Sequence, residues 1–275
     1  LTNYISGLEY PDTKSNLWQN FWPADVHVVG KDILRFHAVY WPAFLMAAGL
    51  KPPKKIFAHG WWTVNGEKMS KSTGNVIDPF KIIKKYGLDQ FKYFLLREMR
   101  FGKDGDFSEK ALLSRINADL SNDLGNLVQR VLSFVYKNCK GEIPKPDRFL
   151  EVDNIILNEI NLIKDKVVKF MYEYMPTDAL EEIWNIIRKC NTYVDSQAPW
   201  VLKNNNINRM NTVLYVLLIL IKKIALLTQS FIPEGSDKIL NQLSIPTKER
   251  GHEYFDKDID YNTSLIAPSG IYPRI

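Results

Sequence analysis

Apolar positions change their rhythm near residue 79. Before it, short apolar runs end in glycine or proline; after it, apolar residues recur every three or four positions nearly to the end. Residues 26–30 (Val-His-Val-Val-Gly) are an apolar run closed by glycine, which predicts a buried strand and a turn. Asp32 is placed to cap a helix in which Ile33, Phe36, His37, Tyr40 and Trp41 share a helical spacing, and Pro42 should kink or end it. Trp41 is assigned to the core. Residues 51–55 read as a loop, and 56–64 as a second strand carrying His59, Trp61 and Trp62. Strand, helix, strand is a βαβ unit of a parallel sheet, whose ligands bind at the carboxyl ends of the strands.

From Pro79 the pattern is helical. Phe80, Ile83, Leu88, Phe91, Phe94 and Leu95 predict two short helices, and residues 102–106 a Gly/Asp-rich turn before a long helix over 108–137. Residues 141–146 read as a linker. Ile156, Ile160, Ile163, Val167, Phe170 and Tyr174 mark the next helix; Leu180, Ile183, Ile187 and Val194 the one after. Residues 204–208 read as a loop and 210–231 as the most apolar helix. Long helices with short connections predict a bundle. Residues from Pro246 onward lack periodicity and form a tail that Ile271, Tyr272 and Pro273 could dock.

Composition narrows this only slightly. The formal charge of +5 permits nucleic-acid binding without arguing for it. The positive field is local, however: residues 68–110 hold ten Lys/Arg against six Asp/Glu, and residues 234–275 hold five against seven. Cys139 and Cys190 lie in unrelated contexts, which gives neither a cysteine zinc knuckle nor a disulfide framework and suits a reducing, cytoplasmic compartment. The longest apolar run, 213–221, stops at Lys222 and is too short to span a bilayer, so no membrane role is expected.

The densest chemistry lies in Gly66-Glu67-Lys68-Met69-Ser70-Lys71-Ser72-Thr73-Gly74-Asn75. Glycines flank a polar loop that can bring two ammonium groups onto a polyphosphate, although a solvated basic loop has the same composition. Gly30 lets backbone approach a ligand, and Asp32 is an acceptor suited to ribose hydroxyls as well as to a helix end. Asn126 and Arg130 lie one turn apart, off the apolar stripe of Leu120, Leu124, Leu127 and Val131. An amide and a guanidinium there suit base edges of an unstacked RNA loop. Trp200, after Pro199, offers a face that could stack a base or pack in a core.

The loop resembles the signature of class I aminoacyl-tRNA synthetases. Together with Gly30-Lys31-Asp32-Ile33, Phe36-His37, Trp41-Pro42-Ala43, His59-Gly60, Asn122-Asp123-Leu124-Gly125-Asn126-Leu127 with Arg130, and Gln197-Ala198-Pro199-Trp200, it is similar to the methionyl-tRNA synthetase family. The resemblance runs from Leu1 to about Pro246. It implies the second half of an α/β Rossmann catalytic domain (1–66), a signature loop and stem-contact segment (67–115), an all-α anticodon-binding helix bundle (116–233) and a tail packing back on the body (234–275).

The resemblance also implies roles. Lys71 acts on charge growing on the departing pyrophosphate, and Lys68 assists it. Gly30, Asp32, His59, Lys68, Met69, Ser70, Lys71 and Ser72 bind ATP, which comes with Mg²⁺; no zinc site falls in this chain. Tyr4, Ile33 and His37 form the methionine pocket, although His37 alone reads as well as a core histidine. Asn126, Arg130, Pro199 and Trp200 read the CAU anticodon of tRNA(Met). No H-x-G-H motif occurs, so the chain is expected to be the C-terminal portion of a monomeric methionine–tRNA ligase, inactive without its N-terminal catalytic half. The alternatives are a non-catalytic tRNA-binding module and a class I synthetase of the Leu/Ile/Val/Cys kind.

Overall fold

The structure, a computed structural model, describes residues 1–69 and 74–275. It divides into two compact units: Leu1–Ile77 with Phe101–Phe107, and Asp78–Arg100 with Ser108–Ile275. The segment read as 67–115 therefore contributes to both.

In the first unit, short helices α1 (Asn3–Ser6) and α2 (Asn16–Phe21) precede strand β1 (His27–Gly30). A 3₁₀ turn, Lys31–Ile33, and a wider π turn, Phe36–Tyr40, lead into α3 (Trp41–Ala47), and the chain returns as β2 (Ile56–His59), parallel to β1 with Gly30 opposite His59. Pro42 does not end a helix. It sits in the first turn of α3, where the missing N–H is one of the unpaired donors anyway. Asp32 is not an N-cap: it lies inside the 3₁₀ turn, and no side chain caps that turn. Trp41, Leu45 and Trp22 form the core, with Ile5, Leu8, Trp18, Ala24 and Leu50 packed on it.

The second predicted strand breaks at Gly60. A Cβ there would lie 2.1 Å from the Lys103 carbonyl oxygen, so only glycine admits this approach. After the break, β3 (Trp62–Val64) enters a different sheet, antiparallel to β4 (Glu67–Lys68) and parallel to β5 (Gly105–Phe107). The residues read as a plain Gly/Asp turn thus supply a strand. Asn65-Gly66 is the two-residue hairpin turn between β3 and β4, with φ of 51° and 80°. Gly66 therefore turns a hairpin.

The second unit begins with α4 (Pro79–Tyr86) and α5 (Leu88–Arg97). The predicted long helix is continuous but changes winding: α6 (Glu109–Arg115), a π-helical stretch Ile116–Gly125, and α7 (Asn126–Asn138). α8 (Glu151–Tyr172), α9 (Pro176–Gln197), α10 (Pro199–Asn205), α11 (Ile207–Thr228) and α12 (Pro233–Gln242) complete it. The loop read over 204–208 shrinks to Asn206, whose side chain accepts from the backbone N–H of Arg209 and caps α11.

α11 continues past Lys222, within the helix read over 210–231. It is long and apolar enough to cross a membrane, yet it is buried by α7, α8, α9, α10 and α12. Its lysines survive burial through specific partners. Lys222 Nζ donates to the carbonyls of Tyr254 and Lys257; Lys223 Nζ donates to Asn161 Oδ1 (2.6 Å) and lies over the Phe255 ring. Burial still pushes both ammonium groups down from the ordinary lysine range.

The last residues return to the bundle. Ile271 and Tyr272 are buried, Tyr272 donates to Asp89 Oδ2 at 2.8 Å, and the same oxygen accepts from Gly235 N at 2.7 Å. Ile275 exchanges two hydrogen bonds with the Asn117 amide. Removing one hydrogen bond to a buried carboxylate typically costs about 1.5–3 kcal/mol, so Tyr272→Phe is expected to lower bundle stability by that amount in urea denaturation.

Candidate functional site

The carboxyl ends of β1 and β2 bring Gly30, Asp32 and His59 together. A Cβ on Gly30 would lie 2.5 Å from Asp32 Oδ1 and 3.8 Å from His59 Cε1, so the glycine keeps the mouth between the strands open. His59 Nδ1 lies 2.9 Å from the Gly60 carbonyl and donates to it, which leaves Nε2 as the ring's acceptor. Phe101 stacks on His59 and on Phe57.

Beside this mouth Trp61 gathers two cations. Lys31 Nζ lies 4.1 Å and Lys68 Nζ 4.7 Å from its ring, over the electron-rich face. Asp104 accepts from Lys31 Nζ at 2.6 Å and from Trp61 N at 2.9 Å, and these bonds hold its carboxyl below the usual range. Asp106 accepts from Thr63 Oγ1 (2.6 Å) and Gly66 N (2.8 Å), is likewise held low, and ties the β3–β4 hairpin to β5. The hairpin delivers Lys68 and Met69 to the start of the lysine loop. Ser70, Lys71 and Ser72 lie outside the described residues.

Tyr4, Ile33 and His37 converge. His37 is buried, its Nδ1 lies 2.9 Å from the Ile33 carbonyl, and its Nε2 lies 2.9 Å from the Tyr4 hydroxyl. The carbonyl can only accept, so in the neutral ring Nδ1 carries the proton and Tyr4 donates to Nε2. Ile33 and Tyr4 stay open to solvent. His27, which sequence reasoning passed over as a strand residue, packs its ring 4.4 Å from that of Tyr4 at a tilt of 40°. Burial and then the neighbouring His37 push its imidazole down, and its Nε2 has no partner among the described residues. The result is an aromatic cup with few charges, chemistry suited to a thioether.

In the second unit, Asn126 is exposed and Arg130 half-buried. Arg130 Nη1 donates to Asp195 Oδ1 at 2.7 Å, and Nη2 contacts Asn191 Oδ1 at 3.4 Å. Neither partner was singled out in the sequence; their i, i+4 spacing on α9 is the signal that could have found them. α9 ends at Ala198 in the left-handed region, and the chain re-enters α10 through buried Pro199. Trp200 is 43% exposed, whereas Trp184 in the same bundle is 0% exposed, so Trp200 is not a core residue.

Comparison with known proteins places a family boundary inside the second unit, between residues 132 and 143. A family model described as tRNA synthetases class I (M) matches residues 1–132, and one described as the anticodon binding domain of methionyl tRNA ligase matches residues 143–265. The chain belongs to the methionyl-tRNA synthetase family. It is similar to methionine–tRNA ligases of Brucella suis (46% identity, all of this chain and 53% of the relative) and Mesorhizobium japonicum (48%, all of this chain and 53% of the relative). The Mycobacterium tuberculosis methionyl-tRNA synthetase solved in complex with methionyl-adenylate superposes with a TM-score of 0.96 at 44% identity, over 99% of this chain and 54% of that one. The chain spans about half the length of the curated relatives it matches. Second-half Rossmann and helical anticodon-binding architecture are thus both family features of this chain, and the Leu/Ile/Val/Cys reading is set aside.

The exposure of the two tryptophans gives a direct stability contrast. Trp184→Ala should cost about 3–5 kcal/mol as a core truncation. Trp200→Ala should stay within about 0.5 kcal/mol, as surface substitutions do. Thermal melting of the two variants side by side checks this.

Proposed function

We propose that this chain is part of an enzyme that joins methionine to tRNA(Met) through methionyl-adenylate, using ATP. The observation that carries it is the pairing of two chemistries in one chain. One is a hairpin that sets Lys68 against Trp61, just after the β2 strand end that holds His59; the other is an exposed indole at the start of α10, on the same helical unit as the Arg130–Asp195 pair. A bare RNA-binding module has no use for the first.

In this reading Gly30 admits the nucleotide, Asp32 accepts from its ribose hydroxyls and His59 lines the same mouth. Tyr4, Ile33 and His37 hold the methionine side chain. Its carboxylate attacks the α-phosphorus of ATP and the bond to pyrophosphate breaks. Lys71, assisted by Lys68, stabilises the charge gathering on the leaving oxygens, where it acts more on the transition state than on bound substrate, and Met69, Ser70 and Ser72 bind ATP with them. Magnesium enters with the nucleotide, on phosphate oxygens; among the described residues no group of three His, Cys or carboxylate side chains is placed to hold an ion. Asn126 and Arg130 read base edges of the anticodon and Trp200, after Pro199, stacks a base. Two free cysteines suit a reducing cytoplasm.

Two substitutions in the full-length enzyme should have separate effects. Lys71→Ala is expected to slow methionine-dependent pyrophosphate exchange by about 3–4 kcal/mol with the methionine KM little changed. Trp200→Ala should leave exchange intact and weaken tRNA binding by about 1–3 kcal/mol. Loss of exchange in the Trp200 variant, or a rise only in methionine KM for Lys71→Ala, would overturn these assignments.

A further inference from the structure

α10 carries Trp200 on a short helix flanked by bonds to Arg209, whose largely buried side chain is engaged before the helix and whose backbone N–H is engaged after it. At its start, Gln197 Oε1 accepts from Arg209 Nη2 at 2.5 Å. At its finish, Asn206 Oδ1 accepts from Arg209 N at 3.0 Å. The guanidinium is itself fixed: Asp153, 0% exposed, takes both of its terminal nitrogens at 2.5 and 2.8 Å. Asp153 also accepts from the Tyr193 hydroxyl and from Leu150 N, so α8, α9 and α11 meet at this carboxylate. Burial alone would raise Asp153, but the bonds from Arg209, Tyr193 and Leu150 hold it below the usual carboxylate range. The pair is therefore charged, and the bidentate geometry leaves the guanidinium little freedom.

Packing does less to fix α10. Pro199 is buried and Leu202 packs against the core, but an open pocket of 630 Å³ lies along Gln197, Leu202, Asn206 and Arg209. Ala198, the residue between Gln197 and Pro199, has φ 40° and ψ 62°. A residue with a Cβ keeps that left-handed conformation only where its surroundings over-determine it. Here the surroundings are the Gln197–Arg209 bond on one side and buried Pro199 on the other.

We infer that Arg209, braced by Asp153, is a positioning residue that sets the orientation of Trp200 for stacking on an RNA base, acting through the bond of its guanidinium to Gln197 at the start of α10. The inference rests on the assignment of Trp200 as a base-stacking residue. It requires no contact between Arg209 and RNA. The guanidinium, at 12% side-chain exposure, already spends three of its five N–H donors on Asp153 and Gln197.

The test is a double-mutant cycle in the full-length enzyme, reading tRNA(Met) affinity and tRNA-independent pyrophosphate exchange. Arg209→Lys keeps the charge and loses the fork; it should weaken tRNA binding about tenfold in a Trp200 background, with exchange unchanged. In a Trp200→Ala background the same substitution should add nothing, because the orientation it disturbs no longer matters. Equal losses in both backgrounds would show a direct or general effect and overturn the inference, as would no loss in either. If Arg209→Lys does not fold, Gln197→Leu leaves the Arg209–Asp153 pair intact and cuts only the arm to α10, with the same expectations. Should Trp200→Ala alone bind tRNA like the parent, the stacking assignment itself fails, and that outcome is separate from additivity.

Discussion

A helix with no polar face has to be surrounded. α11 buries Val213, Leu214, Val216, Leu217, Leu218 and Leu220 in succession, so no rotation of it leaves a side for solvent. At about 25 cal/mol per Å², covering such a rod is the dominant gain available to the second unit, and five helices do so. The rest follows from that enclosure. The first turn of α11 puts Arg209 against Asp153, and its last turns put Lys222 and Lys223 where the chain after Pro246 must supply carbonyls, Asp256 and the Phe255 ring. The charges inside the bundle are consequences of burying the helix, and each has a partner because an unpaired one would cost several kcal/mol.

The first unit is organised differently, by backbone at strand ends. Gly30, Gly60 and Gly66 act at three separate points: one opens the mouth between β1 and β2, one lets the chain pass beneath the Lys103 carbonyl, and one turns the hairpin toward the lysine loop. Asp104 and Asp106, two residues apart on the same strand edge, then fasten Lys31 and the hairpin. Small residues thus set the path and short-range carboxylates lock it. Under the proposed function such a rigid base would suit a loop that meets a polyphosphate, since preorganised charge need not be reorganised as a reaction proceeds.

Much of this was legible in the sequence, and the failures have physical causes. The parallel βαβ unit, the helical remainder and the buried Trp41 follow from periodicity alone, because burial dictates it. β5 did not: two of its three residues, Gly105 and Asp106, are types depleted in strands, and its pairing with Trp62–Val64 is set by a partner 43 positions away. The hairpin could have been read from Asn65-Gly66, whose positive φ values are the turn's requirement. Pro42 and Asp32 misled because both carry generic helix-end signals that a 3₁₀ turn and a π turn absorbed. The side of Trp200 was undecidable beforehand, since a Pro-Trp pair after a helix fits a core or a surface equally. The Asp153–Arg209 pair, 56 residues apart, has no local signature at all.

The central claim is that the helical unit presents Trp200 and the Arg130 cluster to an anticodon. The most direct measurement is photocrosslinking of the full-length enzyme to tRNA(Met) carrying 4-thiouridine at the uridine of its CAU anticodon, followed by peptide mapping. The account predicts adducts within residues 126–130 or 191–209. Adducts confined to residues outside the second unit, with those segments unmodified, would contradict it.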